Sequence, residues 1–349
     1  MNFGSDNMGP VHPKVMDALV AANAGYALPY GEDDHTAAAV AHIREVFEAP
    51  EAAVFLVPLG TAANALALSA LVAPWQAIYC SRVAHIHCDE CAAPEFYTGG
   101  AKLVLVDEAD AKIAPAALEA AIAEGLARGL HYVQPGAVSL TQVTERGTVY
   151  SRDEVAALCN VAKARGLPVH LDGARFANAL VSLGCTAAEM TWKAGVDVVS
   201  FGGTKNGLMA VEALVFFNPE QAQNMAFLRK RAGHLFSKGR YLGAQMAAYL
   251  DGGLWLDLAA KANSAGARLA SGLAEVPGGA ILHPVEANMI YAALPRAAHR
   301  RAIAGGAEYF LTLDDVAGGS DEDPIPARFV CDWSVTEAEI ERFLMLLRG

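Results

Sequence analysis

Residues 168–207, PVHLDGARFANALVSLGCTAAEMTWKAGVDVVSFGGTKNG, contain two short apolar runs, PVHLD and VDVVSF, each ending in glycine and charge. Asp172, Gly173 and Arg175 follow the first run; Gly202, Gly203, Thr204 and Lys205 follow the second. Short apolar runs of this kind read as strands buried on both faces, the signature of a largely parallel sheet. The same pattern extends outward. AVFLV, AIYCS, KLVLVD, AVSLTQ and ALVFF are further candidate strands between residues 50 and 218. Segments of helical periodicity separate several of them, including PAALEAAIAEGLARG and SRDEVAALCNVAKARG, the latter opening on Ser151 with Glu154 three residues on, a capping-box pattern. The expectation is an α/β domain with a mostly parallel sheet covered by helices. Beyond residue 218 the chain reads as a long helical stretch to about 272, strands at ANMIYAAL and ARFVCDW, and a last helix capped by Thr336 and Glu339. This predicts a large domain with an N-terminal arm over 1–250 and a smaller α+β domain over 251–349.

In its 349 residues the chain is 54% hydrophobic and 18% charged, too apolar for disorder. No uninterrupted apolar run approaches the roughly 20 residues of a membrane span. A net charge of −12 disfavours nucleic acid and anionic membranes as partners. The N-terminus shows no signal-peptide pattern, and six scattered cysteines suit a reducing compartment, so a cytoplasmic location is expected.

In open α/β sheets ligands bind beyond the carboxyl ends of the strands, so polar residues there are the candidates for chemistry. Three sites qualify. After AVFLV the chain turns at Gly60 and Thr61 into a helix, whose N-terminal amides suit an anion such as phosphate, although Gly-Thr is also an ordinary cap. Asp172 and Arg175 could be a plain ion pair, and Lys205 a solvated loop residue. Together they say more. A pyridoxal cofactor requires an anion cradle, a carboxylate opposite the pyridine nitrogen and a lysine amine for its aldehyde. In that reading Gly60 and Thr61 hold phosphate, Asp172 holds the ring nitrogen and Lys205 supplies the amine.

Across nearly its whole length, from GSDN through YGED, LGTAAN, AHIHCDE, HLDGAR and SFGGTKNG to ARFVCDW, the chain resembles the pyridoxal-phosphate-dependent L-threonine aldolases of the β-eliminating lyase group. The resemblance implies the aminotransferase-like (type I) fold. It also implies that Lys205 bears the cofactor, Asp172 meets the pyridine nitrogen, His85 stacks on the ring, and Thr204 and Lys230 join the cofactor contacts. It implies Ser5, Arg175 and Arg328 as ligands of the substrate carboxylate, with Tyr30 of YGED beside them. Three departures stand out: Leu59 replaces a serine before Gly-Thr, Lys205 lacks the usual Gly-Ala-Pro continuation, and LTQVTE replaces an acidic-Asn motif, leaving Gln142 and Thr144 as candidates there. The implied reaction is retro-aldol cleavage of L-threonine, L-allo-threonine or a related β-hydroxy-α-amino acid to glycine and an aldehyde. His85 is the candidate base and Glu90 the alternative. β-Elimination or transamination on the same scaffold, or a non-catalytic regulator of this fold, are the competing readings. A homodimer or homotetramer with shared active sites is implied as well.

HIHCDEC, residues 85–91, carries two histidines and a C-x-x-C, yet ligands this close rarely complete a zinc tetrahedron alone, so no metal is expected. The expectation is instead a helix from about Asp89 that buries Cys88 or Cys91. If this stretch is extended, His85 and His87 face opposite ways.

Overall fold

A computed structural model describes residues 1–311 and 316–349. Seven strands, β1 (Ala53–Val57), β2 (Gln76–Ser81), β3 (Lys102–Val106), β6 (Gln134–Thr141), β7 (Val169–Gly173), β8 (Val198–Gly202) and β9 (Glu212–Phe216), form one sheet in the order β1-β9-β8-β7-β6-β2-β3; a two-stranded hairpin, β4 (Glu108–Ala109) with β5 (Lys112–Ile113), stands apart. Five neighbours, β8, β7, β6, β2 and β3, pair in parallel, and β9 alone runs against its two neighbours. This is the mixed, mostly parallel sheet of an α/β fold. β7, β8 and β9 are buried at every residue, which is why their sequences run apolar without alternation. Helices Pro115–Ala127 and Arg152–Lys163 pack on it, and Ser151 and Glu154 close the second with a reciprocal capping box.

A second, four-stranded antiparallel sheet has the order β10-β11-β13-β12, with β10 at Ala280–Ile281, β11 at Met289–Pro295, β12 at Phe310–Leu311 and β13 at Pro324–Val330. Its core joins Ile290, Phe329 and Phe343 to Phe3, because the first residues lie along this sheet: Phe3 N donates to Glu308 O at 2.8 Å and Val330 N to Phe3 O at 2.8 Å. The last helix, Glu337–Arg348, has the capping box read from Thr336 and Glu339. Between the sheets the expected continuous helical stretch is in fact broken into Met225–Arg231, Arg240–Leu250 and Leu254–Ala274. Gly233, Gly252 and Gly253 interrupt it at φ of 78°, 59° and 77°, conformations a β-carbon disfavours. Among the described residues no helix is long and apolar enough to cross a membrane.

Candidate active site

The carboxyl ends of the parallel strands and of β1 open onto a cavity of about 430 Å³ lined by Asn7, Gly60, Thr61, His85, Thr204, Lys205 and Glu212, among others. Gly60 and Thr61 begin the helix Gly60–Leu71 directly after β1. Leu59 stands at its N-cap and offers no capping side chain, so the first amides of the helix remain available, and the space beside Gly60 is open. Such an end is a ready anion site.

Lys205 sits in a short turn, Thr204–Asn206, two residues beyond Gly203. Gly202 and Gly203 are required by close approach: a β-carbon on Gly202 would lie 2.5 Å from Ala174 O, and one on Gly203 would lie 2.4 Å from Leu208. Burial lowers the Lys205 pKa, the Arg175 charge lowers it further, and Asp6, Asp172 and Glu212 pull the other way. Among the described residues no ion pair engages its Nζ. A lysine so placed reaches its neutral, nucleophilic form more readily than an exposed one.

Asp172, next to last in β7, has both oxygens engaged: Ala174 N donates to Oδ1 at 3.0 Å and Asn64 Nδ2 to Oδ2 at 2.8 Å. The same amide of Asn64 donates to Glu90 Oε1 at 2.8 Å, and that oxygen also meets His85 Nδ1 at 2.7 Å. His85, Glu90 and Asp172 offer atoms within 4.8 Å of one another, while Glu90 Oε2 is buried with no partner. Burial pushes the Glu90 carboxyl up; the His85 hydrogen bond opposes this and Asp172 adds to it. The Glu90 hydrogen bond holds the His85 pKa up against burial, with the Asp172 charge in support. Behind them His170 is fully buried between Ser139 and Ser200, and burial lowers its pKa to about 4, so it stays neutral. The donor set fits pyridoxal phosphate: uncapped helix amides for phosphate, a desolvated amine for the aldehyde, and the Asp172 carboxylate for a protonated ring nitrogen.

A second group gathers at the N-terminal segment. Arg175 makes a bidentate ion pair with Asp6, Nε to Oδ2 at 2.6 Å and Nη2 to Oδ1 at 2.9 Å, and Asn288 Nδ2 donates to Asp6 Oδ2 at 3.2 Å. Arg328, on β13, donates from Nη2 to Gly4 O at 3.0 Å and lies over the Phe310 ring, and its Nε is buried without a partner. Ser5 Oγ accepts from Asn7 N at 3.2 Å and caps the turn carrying Asp6. Ser5, Arg175 and Arg328 are thus all tied to residues 4–7.

Other expectations meet the structure differently. Gln142 is fully buried and its amide clamps the Tyr150 backbone, Nε2 to O at 2.7 Å and Oε1 from N at 3.0 Å, so it has nothing left for a substrate. Thr144 likewise turns inward, Oγ1 meeting Thr148 Oγ1 at 2.7 Å. Glu145 is the residue of that loop that reaches the site: its Oε1 accepts from His85 N at 2.9 Å and Thr141 Oγ1 at 2.7 Å, and burial pushes it up to about 7. Lys230 lies 4.8 Å over the Tyr30 ring; both residues are exposed, and neither lines the cavity of its own chain. His85–Cys88 is a helical turn rather than extended, with His87 turned outward, and Cys88 and Cys91 are exposed rather than buried. Sequence reasoning missed Asn64, inside the helix that starts at Gly60, Asp6, in the N-terminal turn, and Glu212, which opens a strand instead of closing one.

A desolvated lysine, a buried carboxylate and an uncapped helix end, set on one edge of a mixed α/β sheet, are the groups a pyridoxal-phosphate enzyme of amino-acid chemistry requires. The chain belongs to the β-eliminating lyase family, whose model matches residues 2–295. It is 40% identical over 348 residues to a low specificity L-threonine aldolase of Pseudomonas sp. (strain NCIMB 10558), spanning 99% of this chain and 97% of that one. With the enzyme of the same description from Pseudomonas aeruginosa it shares 41% identity over 346 residues, covering 99% and 96%. The fold superposes on Leishmania major threonine aldolase with a TM-score of 0.92 at 30% identity, covering 99% of this chain and 98% of that chain.

Proposed function

We propose that this lyase binds pyridoxal phosphate and cleaves L-threonine, L-allo-threonine or related L-β-hydroxy-α-amino acids to glycine and an aldehyde. The observation that carries the reading is the single cavity shared by Lys205, the uncapped helix end at Gly60 and Thr61, and His85, with Asp172 tied through Asn64 to the His85 partner Glu90. Lys205 would hold the cofactor aldehyde, Gly60, Thr61 and Thr204 its phosphate, and Asp172 its ring nitrogen. When bound, the cofactor supplies an electron sink for the charge left at Cα.

The protein's own groups do the rest. Arg175 and Arg328 fix the substrate carboxylate and so orient the bond that breaks. With Nδ1 given to Glu90, His85 keeps Nε2 free, and Nε2 takes the β-hydroxyl proton while Glu90 stabilises the imidazolium that forms. Asn64 keeps Glu90 and Asp172 in place by bridging them. The exposed Tyr30–Lys230 pair would serve the site of a second copy, in a homodimer or homotetramer with shared sites. The division into a large domain over 1–250 and a small one over 251–349, and a cytoplasmic location, belong to the same proposal. The test is product analysis on a panel of β-hydroxy amino acids. Glycine with an equimolar aldehyde supports the reading; ammonia with a keto acid indicates elimination instead, and a keto acid without ammonia indicates transamination.

A further inference from the structure

One carboxyl group in the cavity has no part in that chemistry. Glu212 is the first residue of β9, and because β9 is antiparallel to β1 and β8, its start lies at the edge where the other strands end. The side chain is buried and lines the cavity with Gly60, Thr61, Thr204 and Lys205. Oε2 accepts from Gly203 N at 2.8 Å. The Thr204 hydroxyl, on the same turn, accepts at 3.2 Å from the backbone N–H of Val211, the residue just before Glu212. Glu212 therefore clips the turn that carries Lys205. The titratable groups that share its cavity are Lys205 from that turn and His85 and Asp89 from the segment after β2; its register partners, Val57 and Gly202, are uncharged.

Burial pushes the Glu212 carboxyl up to about 7, against the hydrogen bonds from Thr204 and Gly203 and the charge of Lys205. A phosphate held at the Gly60–Thr61 helix end would bring nearly two negative charges into the same enclosure. Like charges sharing a poorly solvated site cannot both stay ionised without penalty, and the protein group is the one able to take a proton. We propose that Glu212 is a cofactor-side residue that takes up one proton from solvent when phosphate enters the cradle, so that the lysine turn is clipped by a neutral acid in the loaded enzyme. This rests on the reading of the cavity as a pyridoxal-phosphate site. Its consequence is a linkage: cofactor affinity falls by up to about tenfold per pH unit between the titration of Glu212 in the empty form and in the loaded form.

Pyridoxamine 5′-phosphate is the suitable probe, since it cannot condense with Lys205 and its phosphate has its second pKa near 6, below the window of interest. Titration calorimetry of the cofactor-free full chain, from about pH 7 to 9 in buffers of different ionisation heat, reads affinity and proton uptake together. Wild type is expected to gain about one proton and lose affinity as pH rises. Glu212→Gln keeps an acceptor for Gly203 N but cannot titrate, and is expected to bind with a flatter profile and correspondingly less proton uptake. Equal slopes and equal uptake in the two proteins overturn the inference and leave the cofactor reading intact. No binding by wild type at any pH defeats the cofactor reading itself. Should the Gln protein fail to fold, infrared difference spectra of wild type decide: a protonated-carboxyl band gained on binding supports the inference, and its absence refutes it.

Discussion

Replacing Asp6 by asparagine removes the charge opposite Arg175 without changing the size of the side chain. The pair is bidentate, at 2.6 and 2.9 Å, and its side chains are only 12% (Arg175) and 1% (Asp6) exposed, so solvent screens it little. Breaking a buried pair costs about 3–5 kcal/mol, chiefly by stranding the remaining charge, and the single acceptor left on asparagine places the expected loss near the lower end, about 3 kcal/mol. Urea unfolding of the cofactor-free protein at neutral pH, read at constant m-value, measures it. Although burial alone would raise the Asp6 pKa, the charges of Arg175 and Lys205 and the hydrogen bonds from Arg175 and Asn288 together hold it below its ordinary value. A depressed carboxylate contributes stability that is complete above its unfolded value of about 4 and disappears as pH falls through the folded one. Wild type and Asp6→Asn should therefore differ at neutral pH and converge in acid. With Arg175 no longer held, KM for the amino acid should rise by about tenfold or more, since small misplacements of a binding group are costly. A difference below about 1 kcal/mol together with an unchanged KM would refute the reasoning.

Glu90→Gln replaces the carboxylate acceptor that most raises the His85 pKa with a neutral amide, so the acid limb of the pH–rate profile should move to lower pH; a limb that stays in place would remove His85 from the reaction. Asp172→Asn, loaded with cofactor, should lose turnover far beyond any loss of cofactor content, as single-turnover rates and bound-cofactor absorbance would show. Gln142→Leu should cost about 2–3 kcal/mol in urea unfolding while leaving KM nearly unchanged, because its amide clamps Tyr150 and not a substrate. Lys205→Ala should abolish turnover, and borohydride should fix the cofactor to wild type at Lys205 and to no other lysine.

Much of the candidate site was legible because a parallel sheet sorts its residues by position. Gly60, His85, Asp172 and Lys205 each follow an apolar run, and such runs are recognisable since the strands are buried on both faces. The capping boxes at Ser151 and Thr336 are local and were equally readable. What escaped depends on direction and on the way a chain leaves its strand. Glu212 is at the site only because β9 runs backwards, which its sequence does not disclose. Past Thr141, three polar residues compete, and only folding reveals that Gln142 and Thr144 turn inward while Glu145 meets His85. Asn64 is embedded in an otherwise apolar helix, where its polar end is explained only by two carboxylates distant in sequence. Tyr30 and Lys230 meet each other across 200 residues of chain, a pairing no local pattern contains.

Cleavage of the Cα–Cβ bond of an L-β-hydroxy-α-amino acid in this cavity has a direct readout in its products. The most direct measurement incubates the cofactor-loaded protein with L-threonine and L-allo-threonine and quantifies glycine, acetaldehyde, ammonia and keto acid in the same reaction. Wild type is expected to give glycine and acetaldehyde in equal amounts, and Lys205→Ala none. Ammonia and a keto acid in their place, or glycine formed equally well without Lys205, would contradict that expectation.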